Sequence, residues 1–422
     1  MFRKVWGVLD LALAAGLLIG CSLVGPDSKR VERVDPAGSS DLGTWFDWSR
    51  GMPRDYEDAA KWYRLAAQAG HPEAEYNLGS LMARGLGTAK DAEQAVQWFR
   101  EAAAHGLAPA QYGLGLFYER GMGVPRDDAA AATWYRKAAD QGHAPAQHNL
   151  GILYAEGRGV PRAMDEALRW WHLAAGQGSD RARYNLGLAY EQGIGATPDP
   201  GKAAQWYLAA AQAGHAGAQV QLAGLYRDGW GVAQSYPEAV HWYQAGANRG
   251  DAQAQLNLGV LYAEGRGVEQ DYGKAAEWWR KAAKQGDPEA CVYLGTLYYK
   301  GRGVPEDRKE AFRWFSQAEK GGTAGTQYMV GRFLEGKSAS QTAASWYVKA
   351  AERGLPVAMW ELGRLYTTGE GVPRDEAQAR AWMGRARSTF SLPLAGVQSG
   401  GTGGAPERGR APPHGEKQGD DR

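Results

Sequence analysis

Few residues in this 422-residue chain stand at spacings that do chemistry, and histidine is the first to weigh. His71, His143 and His215 recur at intervals of 72 residues, each directly after a glycine, and His105 sits near an equivalent turn. A metal needs its ligands to converge on one point. If each interval spans two structural repeats whose helices pack roughly 8–10 Å apart, the rings fall roughly 20 Å from one another. The matched positions hold Ser179, Asp251, Asp287 and Thr323, all helix-capping types, so a cap or turn is the reading the pattern favours. Arg126-Asp127 and Arg374-Asp375 could pair acid with base, but both aspartates stand where a helix must begin, and the pairs read as capping and surface chemistry. Neither HExxH, a P-loop, GxSxG nor CxxC occurs. The chain therefore reads as non-catalytic, with no metal, no cofactor and no small-molecule substrate expected.

Composition narrows the partners. The 48 basic and 47 acidic residues nearly cancel, leaving no positive field for nucleic acid. The two cysteines, Cys21 and Cys291, lie far apart and offer no disulfide framework. Glycine (59 residues) and tryptophan (17 residues) are both abundant, although one breaks helices and the other supplies large buried surface. Their placement decides the fold.

Tryptophan recurs at Trp62, Trp98, Trp134, Trp170, Trp206, Trp242, Trp278 and Trp314, each 36 residues after the last, then at Trp346 and Trp382. An alanine precedes every one of them by three residues, from Ala59 to Ala379. A period in this range signals a solenoid of helical hairpins. Ala59, Trp62, Tyr63 and Ala66 share one face of a helix, here called B. Asp55, Asp91, Asp127, Asp199, Ser235, Asp271, Asp307 and Asp375 stand at its start as N-caps. Glycines from Gly70 through Gly322 to Gly354 stand at its end, where a left-handed residue closes a helix. The recurring tryptophans are expected to be fully buried, each worth several kcal/mol at about 25 cal/mol per Å².

The other helix, A, carries Ala74, Leu78, Gly79, Leu81 and Met82 in one unit and Ala146, Leu150, Gly151, Leu153 and Tyr154 in another. The glycine after the leucine lets helices A and B approach closely. Loops such as Gly121-Met122-Gly123-Val124-Pro125 close the hairpin. The combined string, AxxxLGxxYxxGxGVxxDxxxAxxWxxxAAxxG, written at residues 146–178, resembles the Sel1-like repeat, a relative of the tetratricopeptide repeat. The resemblance covers residues 53–390 as one leading B helix and nine helix pairs. It implies an all-α, right-handed superhelical solenoid of antiparallel helix pairs whose role is to bind other proteins. One unit is short: Gly331 and Trp346 are 15 residues apart where Gly295 and Trp314 are 19, so a change of curvature or a join is expected near residue 336.

Residues 1–21 read as an export signal, with Arg3 and Lys4 ahead of an apolar stretch. Leu18-Ile19-Gly20-Cys21 resembles the bacterial lipobox, despite Asp10 in the apolar stretch, and an uncleaved membrane anchor is the rival reading. The resemblance implies lipid on Cys21 and, with Ser22 following, an outer-membrane lipoprotein facing the periplasm. Residues 22–52 read as a tether, with Trp45, Phe46 and Trp48 packing onto the first repeat, and 391–422 as a disordered tail rich in Gly, Pro and charge. The expected function is an envelope-anchored scaffold, with a secreted or surface-exposed host-interaction repeat protein as the alternative.

The face of helix A opposite its core leucine is apolar in the middle repeats: Tyr112 and Leu116, His148 and Ile152, Tyr184 and Leu188, Leu256 and Val260, Val292 and Tyr299. In tetratricopeptide-like superhelices the A helices line the concave surface, which would make this strip a groove for a peptide or a partner helix. Side-to-side packing between repeats would produce the same pattern. Asn149, Asn185 and Asn257 precede the Leu-Gly step, and asparagine is a poor interior helix former. Its amide suits either a bound peptide backbone or a neighbouring helix.

Overall fold

The computed structural model describes residues 56–335 and 340–391, and among these every regular element is a helix. α1 (Tyr56–Gln68) leads. Nine pairs follow, each an A helix and then a B helix. They are α2 (Pro72–Arg84) with α3 (Ala92–Ala104), α4 (Ala108–Arg120) with α5 (Asp128–Asp140), and α6 (Ala144–Glu156) with α7 (Met164–Gly176). Next come α8 (Asp180–Gln192) with α9 (Pro200–Gln212), α10 (Ala216–Asp228) with α11 (Tyr236–Asn248), and α12 (Ala252–Glu264) with α13 (Tyr272–Lys284). The last three are α14 (Pro288–Lys300) with α15 (Arg308–Gly321), α16 (Ala324–Leu334) with α17 (Ser340–Glu352), and α18 (Pro356–Thr368) with α19 (Glu376–Ser391). Two compact units result, one ending at Gln177 and holding α1–α7, the other starting at Gly178 and holding α8–α19. The segments read as export signal, tether and tail, with Cys21, Trp45, Phe46 and Trp48, lie outside the described residues.

Local chemistry sets the helix ends. Asp91, Asp199, Asp271 and Asp307 each accept the backbone N–H three residues on, at 2.9 Å, satisfying a donor that the first turn leaves unpaired. Among the B helices whose cap position is described, α7 departs, since Ala163 there has no side-chain group to accept an N–H. The turn between a pair's helices is fastened to the pair before it. Gly123 has φ +66°, and a Cβ there would come within 2.4 Å of the Ala92 carbonyl at the start of α3. Only glycine lets the loop settle on that first turn.

The core of most pairs is an aromatic ring of the B helix seated over the glycine of the A helix; in the last pair Met383 takes the place of the ring over Gly363. A Cβ on Gly115 would meet the Tyr135 ring at 2.4 Å, one on Gly151 the Trp171 indole at 2.4 Å, and one on Gly187 the Tyr207 ring at 2.5 Å. Side-chain packing, rather than backbone contact alone, is what the glycine makes room for.

Two expectations are corrected here. After nine of the ten recurring tryptophans the next residue is the buried ring: Tyr63, Phe99, Tyr135, Trp171, Tyr207, Tyr243, Trp279, Phe315 and Tyr347; after Trp382 it is the half-buried Met383. Of the recurring tryptophans, Trp170 and Trp346 are buried, while the other eight are half-buried. Burial on helix B centres on Tyr63, with Ala59, Ala60, Ala66 and Ala67 around it, and at 100° per residue Trp62 sits roughly 100° from that centre, on the flank. Several flanking rings carry a cation, as Trp278 does Lys281 at 3.7 Å and Trp134 does Lys137 at 4.1 Å. The second correction is Gly322, which ends α15 in extended geometry (φ −84°) where the other helix-B glycines are left-handed.

The short pair is visible in α16, which has 11 residues instead of 13 and is capped at Glu335 by extended backbone instead of a left-handed glycine. Residues 336–339 lie outside the description. Aromatic rings gather beside this pair, Tyr299 meeting Phe333 at 5.4 Å and Phe312 at 6.4 Å. The boundary between compact units falls at residue 177, away from the join expected near 336.

Tyr135→Ala is expected to destabilise the first unit by about 3–5 kcal/mol, and the adjacent Trp134→Ala by clearly less. Urea denaturation followed by circular dichroism measures both; equal losses would return the tryptophan to the core.

Candidate functional site

Among the described residues no group of three His, Cys, Asp or Glu side chains is placed to hold a metal. The recurring histidines cap A helices. His143 Nδ1 accepts the Ala146 N–H at 3.3 Å and His215 Nδ1 accepts that of Ala218 at 3.1 Å, while His71 stands in the cap position without a side-chain bond. Burial lowers the pKa of both bonded rings, keeping them in the neutral form that accepts. Ser179, Asp251, Asp287 and Thr323 cap the matched helices. Arg126 pairs with Asp128 at 2.9 Å, and Asp127 serves only backbone N–H groups.

The opposite face of the A helices is largely taken up in packing. In the first unit Tyr112 lies 5.7 Å from the Tyr135 ring and 4.9 Å from His143 at the head of the next A helix. In the second, Tyr184 repeats this with Tyr207 at 5.8 Å and His215 at 4.5 Å. His148 is 8% exposed and Leu256 4%, so neither side chain is open to a partner. Val292 and Tyr299 are buried as well. Tyr112, Leu116, Asn149 and Ile152 in the first unit, and Tyr184, Asn185, Leu188, Asn257 and Val260 in the second, are half-buried, each keeping an edge toward solvent. Asn149 Nδ2 donates to Tyr135 Oη at 3.3 Å and its Oδ1 lies 3.1 Å from His148 Nδ1, while Asn257 Oδ1 accepts from Arg227 of the preceding A helix at 3.4 Å. Both amides join helices.

A set of buried glutamines, missed in the sequence, ties successive pairs together. Gln111, Gln147, Gln219 and Gln255 each donate from Nε2 to a carbonyl eight residues back, at the end of the preceding B helix, at 3.4, 3.1, 3.2 and 3.2 Å. Three of them also accept from a glutamine 30 residues on: Gln141, Gln177 and Gln285, at 2.7–2.9 Å. Those carbonyls are among the last four of a helix and have no partner within it. In the register of Gln111 and Gln141 the first described pair has Glu75 and His105 instead. Glu75 is buried, one oxygen lies 3.9 Å from His105 Nε2, and the other has no hydrogen-bond partner among the described residues. Burial, more than the neighbouring Glu101, raises its pKa, against the lowering effect of His105 and His71.

The model of the Sel1 repeat matches ten consecutive segments: 37–71, 72–107, 108–143, 144–179, 180–215, 216–251, 252–287, 288–322, 326–355 and 356–388. The chain belongs to the Sel1 repeat family. Each Sel1 repeat is one A helix with the B helix that follows. The first match begins at residue 37, inside the segment read as a tether, and runs through α1. Leu42-Gly43 indeed stand 36 residues before Leu78-Gly79. A protective antigen of uropathogenic Escherichia coli displaying an SLR fold is 35% identical to this chain, with a TM-score of 0.74 over 83% of this chain and 76% of that one. A Sel1 repeat protein from Oxalobacter formigenes is 36% identical, with a TM-score of 0.53 over 58% of this chain and 96% of its own. No curated protein matches the sequence. Sel1 repeat proteins are generally non-catalytic scaffolds for protein–protein interaction.

The Sel1 repeats of this chain also carry a linked choice of residues. At three of the buried tyrosines a glutamate at or just past the end of helix A accepts the hydroxyl: Tyr135 with Glu119 at 2.6 Å, Tyr207 with Glu191 at 2.6 Å, Tyr347 with Glu335 at 2.7 Å. Where the ring is Trp171 or Trp279, the A-helix position holds Ala155 or Ala263, and the indole N–H donates to the carbonyl of His148 at 3.2 Å or Leu256 at 3.0 Å. Arg158 reaches Glu119 at 2.8 Å and also pairs with Glu156; Arg364 likewise bridges Glu335, Glu361 and Glu370.

Glu75→Gln is expected to stabilise the first unit at neutral pH by about 1–2 kcal/mol, by ending the unmet demand of a buried carboxylate. The native carboxyl holds its proton to higher pH than the unfolded one, so its contribution is present below the ordinary carboxyl range and lost as pH rises through the native value. The advantage of the variant should therefore shrink as pH falls, measured as denaturation midpoints from pH 4 to 8 in steps of about one unit. The histidine caps have the opposite sign. Their lowered pKa gives stability that is present above about 6.5 and lost on acidification. His143→Ser with His215→Ser should lose less stability than the parent between about pH 7.5 and 5, by about 1 kcal/mol per cap; equal losses in both proteins would rule out titrating caps.

Proposed function

We propose that this Sel1 repeat chain is a scaffold that binds other proteins along its A helices and is held at a bacterial envelope by lipid on Cys21. The observation that carries the binding surface is the half-buried row of Tyr112, Leu116, Asn149 and Ile152 in the first unit and Tyr184, Asn185, Leu188, Asn257 and Val260 in the second. Each of these side chains is held in place by its neighbours yet keeps an edge toward solvent, so a partner would meet a surface with little conformational entropy left to lose. The anchor is supported by the lipobox-like Leu18-Ile19-Gly20-Cys21. No described helix is long and apolar enough to cross a membrane.

A surface-exposed, host-facing role is the second reading. It is favoured by the 35% identity to a protein described as a protective antigen, a term that implies access to the immune system.

Photo-crosslinking residues placed singly at Leu116, Leu188 and Asn257 in the full chain, and at Arg169 and Lys309 on B helices, test the face. Partners captured only from the three A-helix positions are the expected result, and capture mainly from the B-helix positions would refute it. Metabolic labelling with a clickable fatty acid should mark the parent and not Cys21→Ser, and the variant should leave the membrane fraction. Added protease degrading the chain on intact cells would favour the host-facing reading over a periplasmic one.

A further inference from the structure

Inside the stack, the residue at the register of Tyr112 is covered by the head of the A helix that follows, as Tyr112 is by His143 and Tyr184 by His215. Tyr76, Val220 and Tyr328 in the same register are half-buried, and His148, Leu256 and Val292 are buried. In α18 this register is held by Trp360, which is 46% exposed, and no described A helix follows it. Val357, three residues earlier on the same helix face, is exposed too. Terminal repeats of a stack need such a face covered or polar.

The chain delivers apolar residues to this place. α18 and α19 run antiparallel, since the Gly363 position meets Ala379 and Met383 while Asp375 N–H donates to Tyr366. The end of α19 at Ser391 therefore lies beside the start of α18. Ser391, where α19 ends, is 36 residues after Leu355, the N-cap of α18, so the residues that follow it stand in the register of a further A helix. Leu392-Pro393 then follow as Ala108-Pro109 and Ala144-Pro145 follow their caps, and Leu394 falls in the register of the fully buried Ala358. Leu392, Leu394 and Val397 are gathered at the head of the segment, and from residue 398 to 422 the sequence holds no apolar side chain larger than alanine or proline.

We propose that residues 392–397 dock on the Trp360–Val357 face of α18 as the first turn of an unfinished repeat and cap that end of the stack. The segment closes the second unit against association through the same face.

Trp230 gives an internal reference, because the structure exposes it as much as Trp360, at 46%. Hydroxyl-radical footprinting of the full chain, read by mass spectrometry, should oxidise Trp360 several-fold more slowly than Trp230. In the full chain bearing Leu392→Ser, Leu394→Ser and Val397→Ser the two rates should converge, and deleting residues 398–422 should leave Trp360 protected. Equal rates in the parent would overturn the proposal, as would protection that survives the triple substitution. So would protection that disappears on dilution together with a dimer-to-monomer transition in light scattering, which would make a second copy the cover.

Discussion

Most of the helix pairs in this molecule depend on one contact, the aromatic ring of a B helix lying over the glycine of its partner A helix. Glycine at positions such as Gly151 and Gly259 leaves no room for a Cβ, because the Trp171 and Trp279 indoles already stand 2.4 Å from where it would be. That contact fixes how closely the two helices pair and leaves the hydroxyl or N–H of each ring to be satisfied locally. The Tyr–Glu and Trp–carbonyl alternatives are two solutions to the same demand, since a buried donor without a partner costs more than a hydrogen bond returns. The fifth pair shows the tolerance of the arrangement. Ala223 fills the glycine register there, Gly224 comes one step later, and the helix-A position below Tyr243 is Arg227, which bonds Asp228 and Asn257. Burial then pushes the Tyr243 hydroxyl up to about 12.

The sequence made the solenoid legible because its period is carried by many residue types at once. Asp91 and Asp271 as caps, the glycines around the loops and the Leu-Gly step all report local backbone demands, and such demands can be read from neighbours in the chain. Burial was harder to read. Tryptophan at an unvarying position looks like core, yet the buried position is the one that varies among tyrosine, phenylalanine and tryptophan, because each solves its own polar end differently.

The candidate surface was less legible for a related reason. Whether Tyr112 or Leu256 faces solvent is decided by the next repeat, which no residue near them in sequence announces. Asn149 and Asn257 had two open uses, and in the structure their amides bond side chains on neighbouring helices. The glutamine clamps escaped notice because Gln111 serves a carbonyl on a different helix, although its recurrence at Gln147, Gln219 and Gln255 kept the 36-residue beat.

The links between repeats share a direction. The loop glycine Gly123 rests on the start of α3, and the Gln111 amide reaches back to the end of that same helix, so both ends of α3 are finished by residues belonging to the repeat after it. Synthesis proceeds from the N-terminus. A repeat emerging from the ribosome would thus have its own core before it has its finished edges, and would wait for about one more repeat of chain before both ends of its B helix are closed. Folding in each unit would trail translation by a nearly constant length, which makes the order of repeats a schedule as well as a shape.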